Sequence, residues 1–96
     1  MVDTTNETAL EAALNRLPAW RREGQAITRT VTVPSFTDGI DLVVRVARAA
    51  EEANHHPDID IRYTTITFTL TSHDVGHLTE RDLKLAARID TLVEQG

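Results

Sequence analysis

The segment from Ile59 to Thr71, IDIRYTTITFTLT, alternates apolar side chains with threonines and decides the class of fold. An alternation with a period of two is typical of a β-strand with one buried face. The apolar positions that follow this period are Ile66, Phe68 and Leu70. Ile61 and Tyr63 fall on the opposite parity. A shift of one residue turns every side chain to the other face, so we expect a bulge, bend or strand break near Thr64.

A second half-buried strand is expected over residues 26–33, where the period is again two. Its faces are Ile27, Val31 and Val33 on one side and Thr28, Thr30 and Thr32 on the other. Arg29 interrupts the apolar face, so we expect this strand near an edge or a rim of the sheet. Before it, Trp20 opens a short extended piece, and residues 23–25 (Glu-Gly-Gln) form a turn.

The strongest helix signal covers residues 36–53 and predicts the core helix. Ser35 and Asp38 provide its start, while Asn54 and Pro57 provide its end. Its apolar face is expected to contain Phe36, Ile40, Val43, Val44, Ala47 and Ala50.

Two further amphipathic helices flank this arrangement. Residues 7–17 form the first, with Thr4 and Glu7 resembling a capping box. Thr79 and Asp82 cap the last helix. The residues expected to face the core are Leu10, Ala13, Leu14 and Leu17 in the first helix and Leu83, Ala86, Ala87 and Val93 in the last.

This order of elements predicts an α+β fold. We expect a two-layer sandwich in which about four antiparallel strands carry three helices on one face. Residues 1–96 make one domain, with residues 1–6 as a loose N-terminus, and no linker or repeat divides them.

Composition excludes several classes of function. The net charge of −5 argues against binding to a nucleic-acid backbone, which needs clustered lysine and arginine. The absence of cysteine excludes disulfides and thiolate metal sites. The acidic, polar start carries no secretory signal, and no apolar run reaches membrane length. We expect a soluble, cytoplasmic protein.

Histidines stand at the ends of these elements, where a proton-transfer site is commonly built. Free imidazole titrates near pH 6.5, so it exchanges protons at neutral pH. His55 and His56 either end the helix, because imidazolium favours that end of the helix dipole, or form a pair that contacts two parts of one ligand. His73 is either a surface residue or a functional group presented from a loop.

Other polar residues have simple structural explanations. Capping accounts for Asp82, solvation in the last helical turn for Glu51, and a half-buried strand position for Tyr63. His73 and His77 have the spacing of metal ligands, but a glycine interrupts the helix that this spacing requires. We therefore expect neither a metal nor an organic cofactor.

Taken together, the spacing Glu51-x3-His55-His56-Pro57-x5-Tyr63-x9-His73-x8-Asp82 resembles the signature of the pterin-4a-carbinolamine dehydratases. Trp20, Ala50, Asn54, the Thr71-Ser72-His73 segment and the Leu78-Thr79-Glu80 segment agree with it. The resemblance covers residues 10–94. His77 departs from it, since family members usually have a small residue there.

The resemblance implies a hydro-lyase that converts 4a-hydroxytetrahydropterin into quinonoid dihydropterin and water during tetrahydropterin recycling. It implies His55 and His73 as the acid–base pair, His56 as the residue that mainly holds the pterin, and Asp82 as the carboxylate that orients His73 or one of its neighbours. The substrate-binding residues that it implies are Glu51, Asn54, His56, Pro57, Thr71, Ser72, His73 and Asp74.

The same resemblance implies partners. Family members form homodimers through edge strands and homotetramers through helices, and they serve an aromatic amino-acid hydroxylase. An alternative function stays open, because animal members also act as dimerisation cofactors for a transcription factor. A non-catalytic interaction protein of that kind would tolerate the loss of His55 and His73.

Overall fold

The computed structural model describes residues 3–96 and shows an α+β sandwich. In chain order its elements are α1 (Glu7–Leu14), β1 (Arg21–Glu23), β2 (Ala26–Thr32), α2 (Phe36–Ala53), β3 (Asp58–Arg62), β4 (Thr65–Leu70) and α3 (Glu80–Gln95). The expected order of elements is confirmed. Residues 1 and 2 of the expected loose N-terminus lie outside the described residues, and residues 3–6 make a hydrogen-bonded turn before α1.

The four strands form one antiparallel sheet in the order β1-β2-β4-β3. The register pairs Val31 with Ile66 and Ile27 with Leu70, so the apolar sides of β2 and β4 meet on one face. Threonines meet on the other face, where the hydroxyls of Thr30 and Thr67 lie 3.1 Å apart. The predicted break near Thr64 is confirmed, because residues 63–64 form the tight turn between β3 and β4.

A single core joins the apolar face of the sheet to the helices. Its most deeply buried members include Leu10 of α1, Val46 of α2, Phe68 of β4 and Ile89 of α3. The bounds predicted for the core helix are confirmed, and Ser35 caps it by accepting a hydrogen bond from the backbone N–H of Asp38.

The structure corrects the predicted face of α2. Leu42, Val46 and Ala49 face the core together with Ala50, whereas Phe36 and Val44 are exposed. Ile40 and Val43 are half-buried, and Ala47 is exposed. Apolar residues cover so much of this helix that their spacing alone does not select the side that contacts the sheet.

Three local predictions in the N-terminal half were also wrong. Helix α1 ends at Leu14 rather than at residue 17, and its N-cap is Asn6, whose side chain accepts hydrogen bonds from the backbone N–H groups of Thr8 and Ala9. Strand β2 lies inside the sheet, between β1 and β4, rather than at an edge. Arg29 is accommodated there because it forms an ion pair with Asp90 of α3.

Tyr63 is not a half-buried strand residue. It lies in the β3–β4 turn with φ of 51°, and it is 76% exposed. Residues other than glycine rarely adopt this left-handed backbone conformation. The conformation of Tyr63 is therefore set by the geometry of the turn rather than by packing of its phenol ring.

Candidate active site

The end of α2 is built to aim His55 inward. Asn54 adopts the left-handed conformation (φ 50°), its backbone N–H bonds to the carbonyl of Glu51, and the N–H of His55 bonds to the carbonyl of Ala50. This pair of bonds is a Schellman motif, which satisfies the last carbonyls of a helix and reverses the chain. The backbone of His55 therefore closes the helix while its side chain turns into the protein, where it is only 8% exposed.

The buried carboxylate of Asp82 contacts the His55 ring. The Nε2 atom of His55 lies 2.6 Å from Oδ1 of Asp82, a carboxylate with no exposed surface. The second oxygen, Oδ2, accepts hydrogen bonds from the backbone N–H of Thr79 at 2.9 Å and from the hydroxyl of Ser72 at 2.8 Å. The capping explanation of Asp82 is thus confirmed, and the free oxygen of the same cap contacts a histidine.

The donors of the hydrogen bonds around Asp82 can be assigned, and each bond is directed towards its carboxylate. Ser72 has a single hydroxyl hydrogen, which it donates to Asp82, so the hydroxyl of Thr79, 2.7 Å away, donates to Ser72. A carboxylate only accepts hydrogen bonds, so Nε2 of His55 carries a hydrogen and donates it to Asp82. Nδ1 is then the ring nitrogen of His55 that is available to a ligand.

A cavity of about 230 Å³ lies in front of His55. It is lined by Asn54, His55, His56, Thr71, His73 and Asp74. The residues come from the end of α2 and from the loop after β4, which the antiparallel sheet brings to one place. His55 and His56 therefore line the same cavity as His73.

His56 and His73 differ from His55 in their surroundings. His56 is exposed, and its Nε2 atom is hydrogen-bonded to the carboxylate of Glu51 one turn back on α2. His73 is also exposed, and within residues 3–96 no hydrogen bond to its ring is seen. The site thus combines one rigid, buried imidazole with two that are open to solvent.

An ion pair closes the loop side of the cavity. Arg81 of α3 bonds to the Asp74 carboxylate at 2.8 Å. This hydrogen bond lowers the pKa of Asp74, and the charge of the guanidinium acts in the same direction. Asp74 is therefore held as an anion at the rim of the cavity.

Four of the predicted site residues do not line this cavity. Asp82 and Ser72 are buried behind His55, Glu51 contacts His56 from outside, and Pro57 lies in the connection to β3. Asp82 orients His55 and also contacts Ser72, the neighbour of His73, rather than His73 itself. Sequence reasoning also missed the part of Thr79 in this network, although its capping signal placed it beside Asp82.

Within residues 3–96, no three histidine, aspartate or glutamate side chains are grouped so as to hold a metal ion. Over the same residues, every helix is too short or too polar to cross a membrane.

The fold and the site together define a small α+β domain with a carboxylate-oriented histidine at a polar cavity. A family model described as pterin 4 alpha carbinolamine dehydratase matches residues 3–92, so the chain belongs to that family. This confirms the family resemblance read from the spacing of the histidines.

Curated relatives agree with this assignment. A protein of Nocardia farcinica named "Putative pterin-4-alpha-carbinolamine dehydratase" is 54% identical over 87 residues, which cover 91% of this chain and 92% of the relative. A protein of the same name from Mycobacteroides abscessus is 52% identical over 84 residues, which cover 88% of this chain and 89% of the relative.

Solved structures have the same fold. A transcriptional coactivator/pterin dehydratase from Brucella melitensis matches with a TM-score of 0.88 and 27% identity, over 95% of this chain and 99% of that one. A pterin dehydratase-like protein described as a RuBisCO assembly factor in the alpha-carboxysome matches with a TM-score of 0.67 and 26% identity, over 78% of this chain and 89% of that one.

Proposed function

We propose that this protein dehydrates a 4a-hydroxytetrahydropterin to the quinonoid dihydropterin and water by histidine acid–base catalysis. The observation that carries the proposal is the cavity in which His55, fixed by buried Asp82, faces the same space as His56 and His73. A family of dehydratases and three imidazoles at one cavity support the same chemistry.

In this mechanism the two proton transfers are divided between two histidines. His73 protonates the 4a-hydroxyl group, the C4a–O bond breaks, and water leaves. The free Nδ1 of His55 takes the proton from N5 of the pterin, and the electrons of the N5–H bond form the N5–C4a double bond. Each transfer of this kind is typically worth about 10²- to 10⁴-fold in rate.

The surroundings of each ring suit the role proposed for it. Asp82 accepts the Nε2–H of His55 and so keeps the lone pair on Nδ1, which is what a base needs. Exposed His73 exchanges protons directly with water, so it regains its proton after each turnover. Exposed His56, steadied by Glu51, is placed to hold the pterin rather than to move a proton.

The test is stopped-flow absorbance of the decay of 4a-hydroxytetrahydropterin, generated in situ. We expect wild-type protein to accelerate the decay and His55→Ala and His73→Ala to lose most of this acceleration with an intact circular dichroism spectrum. His77→Ala, in the same loop but outside the cavity lining, is the matched control and should retain the rate. A wild-type rate equal to the spontaneous one would reject the dehydratase.

A second candidate function is that of a non-catalytic interaction protein. The observation that favours it is an exposed apolar stripe on α2, in which Phe36 is 48% and Val44 is 43% exposed beside half-buried Ile40 and Val43. Two solved relatives are described by interaction roles, as a transcriptional coactivator and as an assembly factor. This function predicts that binding of a partner survives His55→Ala and fails in Val44→Glu.

The same stripe and the open edge of β3 support self-association, as a homodimer or homotetramer. Ile61 is 39% exposed at that edge, and unpaired edge strands readily pair with a second chain. Light scattering after gel filtration tests this proposal, with Val44→Glu and Ile61→Lys as probes of the helix and the strand. A monomer of the wild-type protein at high micromolar concentration would contradict it.

Two broader parts of the proposal concern the cell. We place the protein in the cytoplasm, serving an aromatic amino-acid hydroxylase whose cofactor it regenerates. Deletion of the gene should then slow hydroxylation of the aromatic amino acid in cell extract, and added wild-type protein should restore the rate. Restoration by the His55→Ala protein would speak against a catalytic link.

A further inference from the structure

A second cavity lies between the C-terminal part of α2 and α3. It measures about 400 Å³, within the range of cavities that bind small molecules. Ala49, Ala53 and Leu85 provide its apolar part, and His55 forms a wall that it shares with the cavity of the candidate active site.

The rim of this cavity is positively charged although the protein is acidic. Arg81, Lys84 and Arg88 of α3 all line it, and Glu52 is the single acidic residue among the lining groups. The chain as a whole carries a net charge of −5. A local excess of cations in an acidic protein points to an anionic ligand, because the remaining surface would repel it.

Two of the three cationic side chains are open to contact with a ligand. Arg81 is paired with Asp74, whereas the side chains of Lys84 and Arg88 form no ion pair or hydrogen bond with any part of the chain between residues 3 and 96. They lie four positions apart on one helix, where like charges repel each other. An anion between them would relieve this repulsion and would gain charge-assisted hydrogen bonds.

We propose that the cavity between α2 and α3 binds a small amphipathic anion, with a flat apolar body against Ala49, Ala53 and Leu85 and a carboxylate, sulfonate or phosphate at Lys84 and Arg88. The stretch from Arg81 to Arg88 spans seven helical rises, about 10 Å, which matches a two-ring body with one acidic group. The mixture of an apolar lining and a few convergent charges is typical of sites that orient such ligands.

The proposal is tested with 8-anilinonaphthalene-1-sulfonate and its uncharged counterpart N-phenyl-1-naphthylamine. Fluorescence titration of the wild-type protein should give at least tenfold tighter binding of the sulfonate than of the neutral amine. Amide NMR shifts caused by the sulfonate should centre on residues 49–53 and 84–88. Equal binding of the two probes, or shifts centred elsewhere, would overturn the site.

Charge variants identify the cations. The double variant Lys84→Gln, Arg88→Gln should weaken binding of the sulfonate at least tenfold and leave the neutral amine unchanged. Arg48→Gln, Arg62→Gln removes the same charge from surfaces outside the cavity and should bind as the wild type does. Equal losses in both double variants would show general charge attraction and would overturn the proposal. The assay uses no catalytic turnover, so its outcome is independent of the dehydratase proposal.

Discussion

Replacing Asp82 with asparagine tests the hydrogen-bond direction on which the candidate site depends. An asparagine has one acceptor oxygen, and the donors Ser72 and Thr79 both point at the Oδ2 position. The amide oxygen therefore takes that side, and the NH₂ group faces Nε2 of His55. Because an NH₂ group donates, Nε2 must become the acceptor, and the ring hydrogen moves to Nδ1.

The expected cost to catalysis follows from this change of tautomer. With a hydrogen on Nδ1, His55 has no lone pair for the N5 proton, so the rate should fall by about 10²- to 10⁴-fold, the value of one general-base step. The long-range ¹H–¹⁵N NMR spectrum reports the tautomer directly, and stopped-flow absorbance reports the rate. Retention of both the Nε2–H tautomer and the rate in Asp82→Asn would refute the reasoning.

The same substitution has a limited cost to stability. The helix cap at Oδ2 survives, and the hydrogen bond to Nε2 of His55 changes from one with a charged group to one between neutral groups, a loss of about 1–1.5 kcal/mol. For a domain of this size that corresponds to a fall in Tm of about 4–12 °C. Asp90→Asn is the matched control, because Asp90 lies on the same helix and bonds to Trp20 and Arg29 away from the cavity. It should lower Tm without altering the His55 tautomer.

Three further predictions concern the rim of the site, a turn and the core. Because the pKa of Asp74 is lowered in the folded protein, its ion pair with Arg81 stabilises the fold above the pKa of an unfolded aspartate, and this stabilisation is lost as the pH falls through the folded pKa. In Arg81→Gln, ¹³C NMR titration should show the midpoint of Asp74 rise towards its ordinary value. An unchanged midpoint would exclude Arg81 as the cause of the lowered pKa. Tyr63→Asn should raise the free energy of unfolding, measured by urea denaturation, by up to about 1 kcal/mol, since asparagine tolerates the left-handed backbone conformation. A lower free energy of unfolding would mean that the exposed ring makes a stabilising contact. Gly39→Ala should lower the free energy of unfolding by about 1–3 kcal/mol, because the new methyl carbon would lie 2.8 Å from Cδ1 of Ile66. The same substitution should cost less in an Ile66→Val background, and equal losses of stability in both backgrounds would contradict the clash.

Local sequence patterns were sufficient for the type, order and approximate bounds of most elements. The core helix was predicted over residues 36–53, and the break near Thr64 followed from a change of parity. These features depend on caps and on periodicity over a few neighbouring residues, which the chain carries regardless of what it packs against.

The side of an element that is buried depended on the tertiary structure. Apolar residues surround most of α2, so the choice between Val44 and Val46 as a core residue required the position of the sheet. Arg29 suggested an edge strand, and only its pairing with Asp90, distant in sequence, explains how β2 lies inside the sheet.

The candidate site likewise has features that are encoded locally and features that depend on tertiary packing. The sequence by itself determined which residue types were present and that His55, His73 and Asp82 stand at the ends of elements, because helix ends and loops are encoded locally. Only the tertiary structure decided that Asp82 meets His55 and that Ser72 stands behind it, since these contacts join residues 27 and 10 positions apart through the packing of α3 against the end of α2. Local spacing does not encode which side chain completes a buried hydrogen-bond network; the packing of the elements does.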